Sequence, residues 1–290
     1  MFKYKLILGI FFLKIGLLSY GQIKLYKIAK LPKKMYETSG LVFYQNKYII
    51  TINDSGNKSE IYVLNKRGEH IKTIDVEDTK NYDWEDMTQD EEGNIYIGDI
   101  GNNLNKRKKL KIYILKKGFI EKNKVVPKKI TYWYEDQQEF PPKKNNLNFD
   151  SEAIFYKEGF LYILTKCRSK PFTGLSRIYK IPAKEGKHKA KLIGQFYFCS
   201  TAWHLCSVTS ADYNPKTKVL SVLTYGKLYL ISNFKNDRFW EGDIQVYNFY
   251  FLKQREAITY RGKRSWFLTD EYRKGLGGGN LYYMTLGGLK

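Results

Sequence analysis

Residues 84–99 read Trp84-Glu85-Asp86-Met87-Thr88-Gln89, then Asp90-Glu91-Glu92-Gly93-Asn94, then Ile95-Tyr96-Ile97-Gly98-Asp99. Two short runs flank an acidic turn containing Gly and Asn, which is the pattern of an antiparallel hairpin. The start of one strand then lies beside the end of the other, so Glu85 and Asp99 share one end of the pair. The phrase recurs along the chain. Openers at Ser39, Glu152, Ser210 and Glu256 are each followed, 14 or 15 residues on, by a strand end at Asp54, Lys166, Tyr225 and Asp270, and successive openers lie 46 to 67 residues apart.

Repeats of this length built from short β runs predict an all-β fold, a five-bladed β-propeller of four-stranded antiparallel blades. The first unit has runs at 41–44, 48–53, 61–64 and 70–76, separated by turn residues. The fifth supplies only three, at 257–260, 265–269 and 280–285, whereas the alternating run at 23–31 belongs to no unit. Pairing that N-terminal strand in the last blade closes the ring and removes a raw edge. A sixth blade has no source, since 78–83 and 135–148 are too short or too polar. The expected organisation is one propeller domain over 22–290.

Residues 1–21 read separately. Lys3 and Lys5 precede an apolar stretch from Leu6 to Leu18, broken by Lys14, and Ser19-Tyr20-Gly21-Gln22 follows. That is the pattern of a secretory signal peptide cut near Gly21, with an uncleaved anchor as the alternative. No later run approaches the roughly 18 apolar residues of a spanning helix. The expected location is secreted, periplasmic or cell envelope. Cys199 and Cys206 bracket a short connection and either close a small disulfide loop or stay reduced; Cys167 has no third partner in an odd set of three.

The formal charge of +21 favours polyanions. Yet the basic runs, at 106–109, 122–129, 143–144 and 184–191, fall in connections, where charge runs are ordinarily solvated surface. No nucleic-acid motif accompanies them. The expected partner is an anionic small molecule, a glycan or an envelope polyanion, met by a monomer, with no specific nucleic acid.

Closing the ring brings Glu85, Glu152 and Glu256 to one axis, where each pair at ~6 Å costs several kcal/mol at an intermediate dielectric. A cation, raised pKa values or screening water relieves this. Oxygen ligands in a ring suit Ca2+, ahead of Mg2+ and Na+, with Ser39 and Ser210 offering oxygens at the remaining corners. The competing reading has these side chains bonding strand backbones or channel water. On the rim, Asp54, Asp99 and Asp270 could orient water or a metal-bound phosphate. Lys166, Arg168 and Arg273 could stabilise negative charge, and Tyr225 completes the ligand-binding set. The alternative for Asp54 and Asp99, in their Asp-Ser-Gly and Asp-Ile-Gly-Asn segments, is turn chemistry, in which Asp bonds its own backbone.

The order Ser39, Glu85, Glu152, Ser210, Glu256 at the inner-strand starts resembles the calcium-activated nucleotidases of the apyrase family, five-bladed propellers with axial calcium. The resemblance implies calcium ligands at these five positions. It rests on short matches in each unit. Where that family carries an Asp-Asp-Arg-Thr-Gly segment this chain has Asn53-Asp54-Ser55-Gly56-Asn57, and its paired-Arg segment is met by Lys166-Cys167-Arg168-Ser169. One acid and the Arg of the first segment, and one Arg of the second, are therefore missing from the nucleotidase pattern. Over most of the chain, the stretches Asn53-Asp54-Ser55-Gly56, Asp83-Trp84-Glu85-Asp86 and Gly98-Asp99-Ile100-Gly101-Asn102-Asn103 also resemble a group of secreted bacterial propellers.

Three functions follow as expectations: a calcium-centred propeller binding an anionic or sugar ligand at the channel mouth, a calcium-dependent phosphohydrolase of nucleoside diphosphates or related esters, and a structural envelope protein. Other signals carry less. Gly275 to Asn280 joins two strands rather than opening a helix, so it is no dinucleotide loop. His70, His188 and His204 lack zinc-ligand spacing, and no Gly-x-Ser-x-Gly elbow occurs. Trp203-His204 reads as a sugar platform or as a connector packed on the rim.

Overall fold

The computed structural model describes residues 22–287; the expected leader lies outside them. Strand β1 (Ile23–Lys30) precedes a first unit of β2 (Thr38–Tyr44), β3 (Tyr48–Asn53), β4 (Glu60–Leu64) and β5 (His70–Val76). The second holds β6 (Trp84–Gln89), β7 (Ile95–Asp99) and β8 (Leu110–Leu115), and after the two-residue β9 (Lys124–Val125) it is completed by β10 (Lys128–Tyr134). The third comprises β11 (Asp150–Lys157), β12 (Phe160–Lys166), β13 (Leu175–Pro182) and the long β14 (Gly186–Tyr197). A single helical turn, α1 (Trp203–Cys206), leads into β15 (Val208–Asn214), β16 (Val219–Thr224), β17 (Lys227–Ser232) and β18 (Asp243–Asn248). The last strands are β19 (Arg255–Gly262), β20 (Ser265–Asp270) and β21 (Asn280–Leu286).

By hydrogen bonding these strands form four sheets among the described residues. Their orders are β1-β21-β20-β19, β15-β16-β17-β18, β2-β3-β4-β5-β9 and an eight-stranded β11-β12-β13-β14-β10-β8-β7-β6. The eight-stranded sheet arises because the outer strands β10 and β14 of two consecutive units pair in parallel, Ile130 with Gly186 through Tyr134 with Ala190. The sequence gives no warning of that seam, since β14 runs several residues earlier than the apolar pattern places it. Strand β1 pairs antiparallel with β21, so the N-terminal strand completes the sheet that the last three strands leave short.

Strands β2, β6, β11, β15 and β19 stand innermost. Each packs against the next, and β19 packs against β2, which closes a ring. Five apolar clusters lie between neighbouring units. One example joins Val42, Ile50 and Ile52 of the first to Trp84, Met87 and Ile97 of the second; another joins Leu41 and Phe43 to Ala257 and Phe267 across the closure. The alternation that makes each run a strand thus puts apolar side chains on both faces of every sheet, and burying each is worth roughly 1.5–3 kcal/mol. The result is an all-β, propeller-like ring.

Side chains also cross between inner strands. The Asp86 carboxylate, fully buried, accepts the backbone N–H of Ile154 at 3.1 Å and of Ala211 at 3.2 Å, the Ser210 hydroxyl at 3.1 Å and its own neighbour Met87 N–H at 2.9 Å. One β6 residue therefore reaches both β11 and β15. Asp212 repeats the device, accepting Tyr260 N–H at 2.7 Å and the Thr259 hydroxyl at 3.1 Å.

Candidate metal and ligand site at the channel mouth

Each inner strand begins, and each second strand ends, at the same mouth of the ring. The register shows it: Thr38 faces Asn53, Trp84 faces Asp99, Asp150 faces Lys166, Val208 faces Thr224 and Arg255 faces Asp270. Irregularities just inside each start lie between Trp84 and Asp86, Ser151 and Ala153, Val208 and Ser210, and Arg255 and Ala257. The extra residue of such a bulge re-aims side chains locally. Glu85, Glu152, Ser210 and Glu256 all sit at these bulges.

The tightest group of ligand atoms is Asp54, Asp83 and Glu85, whose carboxylate oxygens lie within 4.8 Å of one another. Asn81 builds it. Its side-chain amide donates to the Asn53 and Asp54 carbonyls at 3.0 and 2.8 Å and its oxygen accepts Trp84 N–H at 3.0 Å, tying the end of β3 to the approach of β6. On the other side, Ile100 and Gly101 N–H both donate to the Asp83 carbonyl at 3.1 Å. A Cβ on Gly101 would stand 2.3 Å from Glu85 Oε1 and 2.4 Å from the Asp83 carboxylate, so the glycine leaves room for the two acids to face each other.

Around this trio the electrostatics are strongly acidic. Burial, reinforced by Asp54, Asp150 and Glu152, lifts the Asp83 carboxyl to about 7. Burial and then Glu152, Asp54, Asp83 and Asp150 drive Glu85 well above the ordinary range. Asp54 is raised by burial against the opposing Ser55 N–H bond. Glu256 is pushed to about 7 by burial, only partly relieved by Lys166, and Glu271 to about 10 by burial and Glu256. Each shift has the same root, too many carboxylates withdrawn from water beside one another.

Two cations answer on one side. Lys166, buried, sits 2.9 Å from Glu152 Oε2 and donates to the Tyr225 hydroxyl at 3.1 Å. Arg168 bridges Asp150 at 2.6 Å and Glu152 at 3.1 Å and also donates to Asn103. Asp150 accepts Asn102 N–H at 2.6 Å as well, leaving it fully engaged. Burial is the largest single influence on Lys166 and works against its charge, but Glu152, Tyr225 and Glu256 together outweigh it and its pKa stands well above that of a free lysine. Trp203 covers both cations, its ring 5.4 Å from Lys166 Nζ and 5.4 Å from the Arg168 guanidinium carbon. That indole is held by the turn α1 inside the Cys199–Cys206 disulfide, while Cys167 is free and buried. Of the two states the sequence left open for the cysteine pair, the bonded one is found.

The remaining expected site residues divide. Ser39 donates its hydroxyl to the Glu85 carbonyl and Ser210 donates to Asp86, so both hydroxyls are committed to the inner strands. Asp99 is buried beneath Arg107, with one oxygen 2.8 Å from Nη2 and the other without a hydrogen-bond partner. Asp270 accepts Asn280 N–H and the Tyr282 hydroxyl, both at 2.8 Å, from the neighbouring strand β21. Arg273 is exposed on the loop after β20 and lies beside Glu271. Asp83, Asn81, Asp86 and Asp150 were not singled out from the sequence. Asp83 had a visible signal, since it lies two residues before Glu85 in the stretch Asp83-Trp84-Glu85-Asp86.

No family model and no curated protein matches this chain. Solved structures do. The major allergen Mala s 1 of Malassezia sympodialis is 9% identical over 90% of this chain and 95% of its own, with a TM-score of 0.55. A PQQ-bound aldose sugar dehydrogenase from Streptomyces coelicolor is 9% identical over 92% of this chain and 99% of its own, TM-score 0.49. A gluconolactonase from Xanthomonas campestris is 10% identical over 91% and 90%, TM-score 0.49. At such identities the likeness concerns the fold alone, and the first of these carries it.

Proposed function

We propose that the chain is an exported five-bladed β-propeller that holds a hard cation, Ca2+ before Mg2+ or Na+, at its channel mouth and binds an anionic or sugar ligand beside it. The count of five rests on the ring of inner strands β2, β6, β11, β15 and β19, with β10 and β14 joining two blades at their outer edges. Export is supported by the Cys199–Cys206 bond, which suits an oxidising compartment.

One observation carries the metal reading: Asp54, Asp83 and Glu85 converge within 4.8 Å around a backbone position that admits no side chain. All donors are oxygens, the set Ca2+ prefers. A bound cation would supply charge neutralisation and a Lewis-acidic anchor for an anionic oxygen. The ligand set thereby shifts from the five openers to Asp54, Asp83 and Glu85. Glu152 serves instead to hold Lys166 and Arg168, and Glu256 borders the group. Asp99 and Asp270 become supports of the rim. Lys166, Arg168, Trp203 and Tyr225 then form the wall against which a ligand would lie.

Isothermal titration of calcium into the protein tests this. Binding should appear in the wild type and fall by at least about tenfold in Glu85→Gln, since a charged ligand is removed. An absence of calcium binding, or an affinity the substitution leaves unchanged, overturns the metal site. Calcium-dependent release of phosphate from nucleoside diphosphates in the same samples would extend binding to hydrolysis.

A further inference from the structure

Three connections at the mouth side of the ring carry exposed apolar side chains and no exposed acid. The loop from β18 to β19 presents Tyr250, Phe251 and Leu252, the first two 76% and 77% exposed. The loop from β20 to β21 presents Tyr272 and Leu276, and the disulfide-held turn presents Trp203. They are not scattered: Trp203, Leu252, Arg273 and Leu276 line one cavity of about 110 Å³, and Lys253 Nζ donates to the Leu276 carbonyl at 2.7 Å, fastening two of the loops together. Within 249–254 and 272–279 the charged residues are Lys253, Arg273 and Lys274, all basic.

Tyr250 and Phe251, with three quarters of their surface in water, project from the protein as tips beside that small cavity. Projecting Phe and Leu between Tyr, Trp and cations match the boundary between lipid headgroups and acyl chains, where aromatic rings with one polar edge settle and basic residues meet anionic phosphates. A protein partner would ordinarily be met by a flatter patch with a polar rim. The net charge of +21 acts in the same direction over longer range.

We infer that this rim is a docking face for an anionic lipid surface, with the loops 249–254 and 272–279 entering the headgroup layer and the channel mouth turned toward it. The inference is independent of the metal: it uses neither the acidic group nor its occupancy.

Co-sedimentation with vesicles tests it, using phosphatidylcholine alone and phosphatidylcholine mixed with phosphatidylglycerol, in chelator so that the acidic site plays no part. Binding to the mixed vesicles and little to phosphatidylcholine is expected. The double variant Phe251→Ser with Leu276→Ser should weaken it by at least about tenfold. Arg273→Glu with Lys274→Glu should do likewise. Val126→Ser, an equally exposed apolar change on a connection of a different unit, should leave it unaltered. All these positions are on the surface, and unchanged melting curves confirm folding. No binding to the anionic vesicles overturns the inference. So does binding that high salt abolishes but the Phe251 and Leu276 changes do not touch, which is adhesion by charge alone. Self-association lost in the double variant, without vesicle binding, assigns the face to a second copy instead and equally refutes it.

Discussion

Calcium should stabilise this protein far more at high pH than at low pH, and the carboxyls at the mouth set the size and sign of the effect. Asp83 and Glu256 have folded-state pKa values raised to about 7 from ordinary values of 3.8 and 4.5. A carboxyl raised on folding binds more protons in the native state than in the unfolded one throughout the window between the two values. The contribution of these two carboxyls to stability without metal therefore falls as pH climbs from about 4 to about 7 and then levels, while Glu271, raised to about 10, extends the fall to higher pH. Keeping Asp83 ionised above that window costs on the order of 4 kcal/mol. A bound divalent cation offsets this cost, which burial and then the neighbouring carboxylates impose, and binding must expel the residual protons. With calcium at about 100 times its Kd the folded state gains about 2.7 kcal/mol, which for a chain of this size is roughly 5–10 °C in Tm. The assay is the melting temperature followed by far-ultraviolet circular dichroism at about pH 5 and about pH 8, in calcium and in chelator. The calcium shift should be large at the higher pH and should shrink at the lower one, where protons compete. Replacing Asp83 by Asn should raise the Tm in chelator at the higher pH while abolishing the calcium response. A calcium response equal at both pH values, or one that survives in Asp83→Asn, refutes the argument.

Two further substitutions probe the architecture that carries the site. Asp86→Ala strands the N–H groups of Ile154, Ala211 and Met87 and the Ser210 hydroxyl away from water. At about 1–3 kcal/mol for each lost partner, the loss should reach several kcal/mol in chemical denaturation, and a loss below about 1 kcal/mol would mean that the carboxylate does not join the inner strands. Gly101→Ala pushes a methyl into the Glu85 and Asp83 carboxylates; the ring should still fold, with calcium affinity at least about tenfold lower by titration.

Hairpin repetition and the missing strand were legible because period-two alternation and turn residues are local signals. The pairing of β1 with β21 could be foreseen because the last unit was one run short. The parallel seam between β10 and β14 could not: outer strands are half exposed, so their apolar pattern weakens and does not mark where pairing begins. At the site, the sequence pointed to the right end of the strands but treated position within the motif as position in space. Bulges at the strand starts turn Glu85 toward Asp54 and Asp83, and direct Ser210 to the buried carboxylate of Asp86. Whether a polar residue near a strand end faces the channel or caps its own turn depends on a one-residue irregularity, and composition does not report that. Asp270 is the plainest case, since its neighbours Asn280 and Tyr282 come from the next strand and only register reveals them.

The pairing of Ile23 with Leu286 has a bearing on biogenesis. Strand β1 has no partner until β21 emerges, so the nascent chain carries an unsatisfied alternating edge throughout the synthesis of the strands between them. Every intermediate short of Asn280–Leu286 lacks a wall of the ring. Glu256 and Glu271 belong to that last unit, so their repulsion with Asp54 of the first is imposed only as the ring closes.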